Sequence, residues 1–107
     1  FARRLRLLGY SVVGEQFRPG DVIPMTFLWQ AMTALDEEYH LVLWLEDGAG
    51  QKWGEAELPL GGRYAPAAWE PGQVVRDWQA LLIPGNVNDG SYGVKMQVLA
   101  GDEALPR

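Results

Sequence analysis

The chain has 107 residues, of which 48% are hydrophobic and none is cysteine, and its formal net charge is −5 at pH 7. This length and composition fit a single domain with a hydrophobic core and exclude a disordered chain, and the lack of cysteine excludes disulfides, thiolate nucleophiles and most zinc sites. The negative charge argues against nucleic acid or an anionic membrane as a partner, because both favour clustered lysine and arginine, and no stretch is apolar for the length of a membrane span.

The first strand and the turn after it are predicted from apolar spacing and from turn-forming residues. Arg4 to Val13 carries apolar residues at strand spacing, and Gly9 inside it indicates a kink. The segment Phe17 to Asp21 contains Pro19-Gly20 and is typical of a turn, because proline fixes φ and glycine tolerates unusual backbone geometry.

The second strand has a regular alternating pattern. Val22 to Gln30 places four apolar side chains on one face, namely Ile23, Met25, Phe27 and Trp29. Pro24 lies within this run, and because proline donates no backbone hydrogen bond it indicates an edge strand or a bulge. Ala31 to Glu38 is too short and too poorly patterned for a helix, so we expect a connection there.

A hairpin is predicted in the middle of the chain. Tyr39 to Asp47 alternates, with Leu41, Leu43 and Leu45 on one face and His40, Val42, Trp44 and Glu46 on the other. Asp47 to Gly50 begins with Asp-Gly, which is a strong hairpin signal, and Gln51 to Glu57 returns as a shorter strand.

Two more strands follow a long irregular segment. Leu58 to Gly72 holds three prolines and three glycines and is expected to be a loop. Gln73 to Ile83 is the next strand, and Ser91 to Leu99 is another, with Tyr92, Val94, Met96 and Val98 inward. Six strands joined by turns predict an all-β, immunoglobulin-like antiparallel β-sandwich of six to seven strands. Tyr92 is placed as the corner tyrosine of such sandwiches, whose hydroxyl bonds to upstream backbone.

An ordered set of short motifs resembles a domain found in Chloroflexi-type bacteria. The motifs cover nearly the whole chain: Leu7-Leu8-Gly9-Tyr10, Arg18-Pro19-Gly20-Asp21, Trp29-Gln30-Ala31, Tyr64-x-Pro66, Trp69-x-Pro71-Gly72-x-Val74-Val75-x-Asp77, Leu81-x-Ile83-Pro84 and Gly90-x-Tyr92. In that family the domain often stands at the extracytoplasmic C-terminal end of multi-pass membrane proteins similar to glycosyltransferases of the protein-mannosyltransferase type, and it also occurs in other surface proteins. The resemblance implies a domain on the extracytoplasmic face of the membrane or on the cell surface, soluble when isolated, whose partner is the remainder of its own parent protein.

The two ends of the chain lead to predictions about a longer parent protein and about the last strand. The chain opens with Phe1-Ala2-Arg3-Arg4 and no methionine, so we expect residues 1–107 to be one sandwich domain excised from a longer protein. Family members continue after the Tyr92 strand through an Asp-rich turn into one more strand, whereas here the turn-like segment Gly101 to Arg107 is the last. Either the last strand is missing or the sandwich is completed differently. A missing strand leaves an unpaired edge, and because such edges recruit other strands we expect a homodimer.

Residues suited to catalysis or to metal binding are few. The family carries no established catalytic residue, so the resemblance transfers none. His40 is the only histidine, which excludes a multi-histidine metal site, and its polar strand face favours an exposed or rim position. The acidic runs at residues 36–38, 46–47 and 102–103 lack the alternating oxygen ligands of a calcium loop. We therefore predict that the chain is not an enzyme and that it uses no metal and no cofactor.

The five tryptophans are the side chains best suited to binding. Trp29 is expected in the core from its spacing, and Trp69 is expected to pin the long loop over the sandwich. Trp44, Trp53 and Trp78 are the candidate ligand-binding residues. Counting outward from the centre of the hairpin loop places Trp44 near Trp53 as a cross-strand pair, and Trp78 fits either face of its strand. An exposed patch of these three would mark a binding surface, and the alternative is burial under the long loop or a neighbouring domain.

Two functions fit these features. The first is a non-catalytic accessory domain of a larger surface or membrane protein, which packs against its own parent. The second is a carbohydrate-binding module that uses the outward tryptophans. An open aromatic face favours sugar binding, and a covered one favours packing.

Overall fold

The computed structural model describes residues 1–14 and 16–106 and is built mainly from strands. The seven strands of this part of the chain are β1 (Leu5–Val12), β2 (Val22–Ala31), β3 (Tyr39–Glu46), β4 (Lys52–Pro59), β5 (Val74–Leu82), β6 (Gly93–Ala100) and β7 (Glu103–Ala104). A single 3-10 turn over Pro66–Ala68 is the one helical element of the described residues. No helix in these two ranges is long and apolar enough to cross a membrane.

The strands form two antiparallel sheets that pack face to face. One sheet has three strands in the order β1-β2-β5, and the other has four in the order β4-β3-β6-β7. The chain changes sheet after β2, after β4 and after β5, so β1, β2 and β5 occupy the places of strands A, B and E of an immunoglobulin-like domain. The remaining strands, β3, β4, β6 and β7, occupy the places of C, C′, F and G. The predicted all-β, immunoglobulin-like sandwich is confirmed.

The core is formed by alternate residues of the facing strands. On β2 every second residue from Ile23 to Ala31 is buried, as the alternation predicts. Leu41, Leu43 and Leu45 of β3 face them from the other sheet and are buried too. Full burial of one such leucine side chain contributes about 1.5–3 kcal/mol, so the two-residue period of these strands supplies much of the driving force for folding.

Pro24 lies in the central strand of its sheet, so the prediction of an edge position is wrong. The carbonyl of Pro24 accepts a hydrogen bond from Val13 N–H at 3.1 Å, and the amide nitrogen of a strand residue points to the same side as its carbonyl. On that side the register with β1 ends at Val12, opposite Met25. The missing N–H therefore falls at the end of the β1 ladder, where only the bond to the Pro24 carbonyl follows, and this explains why the proline is tolerated.

Two predicted local features of the backbone are confirmed. The register between β1 and β2 shifts between Leu7 and Gly9, which is the expected kink. The Tyr92 hydroxyl donates to the carbonyl oxygen of Asn88 at 2.7 Å, which is the expected tyrosine corner.

The long loop between β4 and β5 is pinned to the core by buried side chains. Leu60 and Trp69 are almost completely buried, and the Trp69 indole donates to the carbonyl oxygen of Tyr64 at 2.8 Å. Gly61 approaches this indole closely, with φ of 81°. The predicted role of Trp69 as the anchor of this loop is confirmed.

Asp77 on β5 is a buried carboxylate whose role was not predicted from the sequence. It is 2% exposed and accepts hydrogen bonds from the Trp29 indole at 3.1 Å, Gly61 N–H at 3.0 Å and the Gln79 amide at 2.8 Å. These donors come from β2, from the long loop and from β5 itself. Because a buried carboxylate is costly without hydrogen-bond partners, the three donors make this position possible and tie the loop to the three-stranded sheet.

The four-stranded sheet ends in a very short strand. Glu103–Ala104 pairs with Leu99 and Ala100 of β6, and Leu105 N–H donates to the carbonyl oxygen of Val98 at 2.8 Å. The residues from Gly101 to Leu105 therefore form a hairpin with β6 that adds a short seventh strand to this sheet, and Arg107 lies outside the described residues. Beside Val94 and Lys95 no described residue pairs with this edge of β6.

Candidate functional site

The structure does not bring the three candidate tryptophans into one patch. Trp44 lies on the outer face of the four-stranded sheet, opposite Lys95 of β6. Trp78 lies on the outer face of the other sheet, opposite Thr26 of β2. Trp53 pairs with Leu45 and packs against the core. The three tryptophans therefore form no common exposed patch, and the binding role of each stays a prediction.

The expected cross-strand pair of Trp44 and Trp53 is wrong because the hairpin loop is centred on Ala49 and not between Gly48 and Ala49. Asp47 N–H donates to the carbonyl oxygen of Gln51 at 3.0 Å, so the loop consists of Gly48, Ala49 and Gly50. Gly50 has φ of 82°, the left-handed geometry typical of a three-residue hairpin loop. A shift of one residue moves a side chain to the other face of a strand, and Trp53 therefore faces inward.

Trp44 is partly covered by its own sheet. The Lys52 ammonium lies 4.1 Å from the centroid of the Trp44 ring, and the Trp44 indole donates to a Glu46 carboxylate oxygen at 3.4 Å. This cation–π contact occupies one face of the ring. Trp44 is half-buried as a result and presents less free aromatic surface than Trp78 does.

Asp47 holds the hairpin loop and the Trp53 indole together. One carboxylate oxygen accepts from Ala49 N–H and Gln51 N–H, each at 2.9 Å, and the other accepts from the Trp53 indole at 3.1 Å. These hydrogen bonds, that of Gln51 N–H first and that of Trp53 next, hold the pKa of Asp47 below its ordinary value of 3.8.

We expect the contribution of Asp47 to stability to depend on pH. Because the folded-state pKa is lowered, the stabilisation is present above the ordinary pKa and is lost as the pH falls through the folded value. Urea unfolding of the wild type and of Asp47→Asn should therefore show a larger difference in the free energy of unfolding at pH 7 than at pH 2 to 3. An equal difference at both pH values would contradict this assignment.

The outer face of the three-stranded sheet is rich in exposed apolar side chains. Trp78 is 70% exposed and Leu82 is 59% exposed, although both belong to a regular strand. Val22 lies opposite Leu82, and Pro24 lies opposite Ala80 on the same face. We call this surface the Trp78 face and define it by Val22, Pro24, Leu28, Trp78, Ala80 and Leu82.

A shallow depression of about 430 Å³ lies beside Trp78 on this face. Ser11, Thr26 and Trp78 form one row across the three strands, and Gly9, Leu28 and Arg76 form the next. The Arg76 guanidinium carbon lies 6.0 Å from the Trp78 ring centroid. Hydroxyl and guanidinium groups are thus placed around one side of an exposed aromatic ring, an arrangement suited to a polar ligand with an apolar face.

The sequence did not indicate the polar residues of this depression. Ser11, Thr26 and Arg76 lie on three different strands, and only the pairing register brings them together. The structure fixes Trp78 outside through its neighbour, since the Asp77 carboxylate lies inside the sandwich and successive side chains of a strand alternate; the sequence alone does not show that Asp77 is buried.

His40 lies on the outer face of β3, an inner strand of the four-stranded sheet, and is half-buried. Its Nε2 is 3.3 Å from a Glu38 carboxylate oxygen, and its Nδ1 is 3.5 Å from one of Glu57. Across residues 1–14 and 16–106, the acidic and histidine side chains form no group of three that could hold a metal ion.

A scan against protein-family models finds no match to this chain, and a search of the curated proteins finds no relative of it.

Proposed function

We propose that this chain is a non-catalytic interaction domain of a larger surface or membrane protein, and that it contacts the remainder of that protein through the Trp78 face. The observation that supports the proposal is the exposure of large apolar side chains on a regular sheet face, with Trp78 at 70% and Leu82 at 59%. The extracytoplasmic location belongs to the same proposal and rests on the family resemblance.

An apolar sheet face is unusual when it is exposed only to water. Antiparallel sheets with one solvated side normally alternate apolar residues inside with polar residues outside. On β5 the outward positions instead carry Val74, Trp78, Ala80 and Leu82, interrupted only by Arg76. Contiguous apolar surface of this kind marks contact sites, and burying a tryptophan contributes a large part of the binding energy at interfaces.

The proposal is tested by site-specific photo-crosslinking in the full-length parent protein. A photoreactive phenylalanine analogue at position 78 is expected to form crosslinks to peptides outside residues 1–107, as identified by mass spectrometry. The matched control carries the same analogue at position 44, on the outer face of the opposite sheet. Equal crosslinking from both positions, or none from position 78, would argue against this docking face.

The second candidate function is carbohydrate binding, and the depression beside Trp78 favours it. A sugar ring stacked on the indole would place its hydroxyl groups near Ser11, Thr26 and Arg76, which can donate and accept hydrogen bonds. Under this candidate the site is Trp78 with those three residues, while Trp44 and Trp53 contribute nothing to it.

We expect Trp78→Ala to weaken any such binding at least tenfold and Trp44→Ala to leave it unchanged. Isothermal titration calorimetry of the domain with a panel of soluble oligosaccharides is the suitable measurement, because its signal does not depend on the indole that is removed. Binding lost in Trp44→Ala but kept in Trp78→Ala would place the sugar site on the other sheet, and heats that stay at baseline across the panel would remove this candidate.

A further inference from the structure

A groove runs along the side of the sandwich where β1 and β6 face each other, and no strand of the described residues lies between them. It consists of two cavities of about 870 Å³ and about 880 Å³, and Val94 of β6 lines both. The buried residues Met25, Phe27 and Leu43 form part of the lining of the first cavity. We call it the β1–β6 groove. It lies between the two sheets and continues the line of the short strand β7.

The backbone of β6 offers hydrogen-bonding groups to this groove at Val94. Leu105 N–H donates to the carbonyl oxygen of Val98, so the backbone groups of Val98 point toward the β7 side. The backbone groups of every second residue along a strand point to the same side, so those of Val94 point to the β7 side as well. The N–H and C=O of Val94 therefore point along the groove, and no described residue pairs with them there.

The charges around the first cavity are all positive, whereas the second cavity is lined by Arg18 and Asp89. Arg3, Arg6 and Lys95 line the first cavity, and its described lining contains no acidic side chain. Lys95 lies opposite Trp44 and so projects on the outer face of its sheet, whereas Val94 faces inward. A strand added beside β6 would thus meet a cation on its outward side and an apolar surface on its inward side.

We propose that the β1–β6 groove binds an extended polypeptide segment that adds to β6 as a strand, with apolar side chains facing inward and acidic side chains facing outward. Main-chain hydrogen bonds at Val94 supply affinity, and the alternating side chains supply specificity, as in other cases of strand addition. A second copy of this chain fits less well. Antiparallel pairing of two β6 strands would bring two Lys95-bearing strands together with no acid to compensate.

The test uses a synthetic nine-residue peptide in which valine and glutamate alternate, with both ends blocked. The control peptide has the same composition arranged in blocks. We expect saturable binding of the alternating peptide in isothermal titration calorimetry, at least tenfold tighter than that of the block peptide. Val94→Pro should weaken this binding at least tenfold, because it removes the Val94 N–H that points along the groove and leaves the β3–β6 hydrogen bonds in place. Near-UV circular dichroism checks that the variant is folded.

A charge exchange keeps the proposal testable even if Val94→Pro does not fold. Lys95 is exposed, so Lys95→Glu should fold normally, and it should then prefer a peptide of alternating valine and lysine over the glutamate peptide. Equal affinity for the alternating and block peptides, or an unchanged charge preference in Lys95→Glu, would overturn the proposal. Self-association of the wild type in analytical ultracentrifugation, with no peptide binding, would overturn it in favour of the homodimer.

Discussion

Asp77→Ala is expected to lower the free energy of unfolding by about 3 to 5 kcal/mol, because each buried donor left without an acceptor costs about 1–3 kcal/mol. The donors concerned are the Trp29 indole and Gly61 N–H, which bond to the same carboxylate oxygen at 3.1 and 3.0 Å. Gln79 can turn its amide toward solvent, since it is only half-buried. Asp77→Ala also removes the free-energy cost of burying the carboxylate. The loss in the free energy of unfolding is therefore smaller than the summed cost of the two unpaired donors.

Thermal and urea unfolding followed by circular dichroism measure this loss, which corresponds to about 15 °C or more in Tm for a domain of this size. Asp36→Ala is the matched control, because Asp36 is an exposed aspartate and its replacement should change the free energy of unfolding by less than about 0.5 kcal/mol. Asp77→Asn should fall between the two, since an amide offers one acceptor oxygen instead of two. Equal losses for Asp77→Ala and Asp36→Ala would show that the buried hydrogen bonds do not stabilise the sandwich.

Gly61→Ala is expected to cost about 2 to 4 kcal/mol, the sum of backbone strain and of a steric clash. Gly61 has φ of 81°, which disfavours any side chain. A Cβ at this position would lie 2.5 Å from the carbonyl oxygen of Tyr64 and 2.7 Å from the Trp69 ring. Neither group can move freely, because the Trp69 indole is buried and donates to that same carbonyl.

The neighbouring glycine separates the two causes. Gly62 has φ of 60°, but a Cβ there would meet nothing within 4 Å. Gly62→Ala should therefore show only the backbone cost of about 1–2 kcal/mol, and the difference between the two variants in urea unfolding measures the clash. If both variants lose the same stability, the loop is not held against Trp69 as closely as the structure indicates.

The fold could be predicted because its strands follow a two-residue period that does not depend on distant contacts. Ile23 to Trp29 and Leu41 to Leu45 each place their apolar side chains on one face, and one face is what a sandwich buries. The turn at Pro19-Gly20 and the Tyr92 corner are similarly local, since both depend on residues a few positions apart. Local signals of this kind survive in a single sequence.

The candidate site could be predicted only in part, because pairing register and sheet order are properties of distant segments. The position of Trp53 depends on a three-residue hairpin loop, and one residue decides which face it takes. Pro24 was expected at an edge or in a bulge because nothing local shows where β1 stops. Trp78 was named as a candidate, but its neighbours Ser11 and Thr26 come from two other strands.

The hydrogen bond between Trp29 and Asp77 joins residues that are 48 positions apart, and this separation has a kinetic consequence. The three-stranded sheet cannot form until β5 has been synthesised, whereas the β3–β4 hairpin pairs neighbouring segments. At a synthesis rate of about 5–20 residues per second, the edge of β2 that pairs with β5 stays without its partner strand for about 2 to 10 s after leaving the ribosome. Non-local pairing of this kind takes milliseconds to seconds once both strands are present, so synthesis of β5 limits the formation of this pair. During that interval the unpaired edge of β2 is exposed, and chaperones or neighbouring segments of the same chain are in a position to bind it.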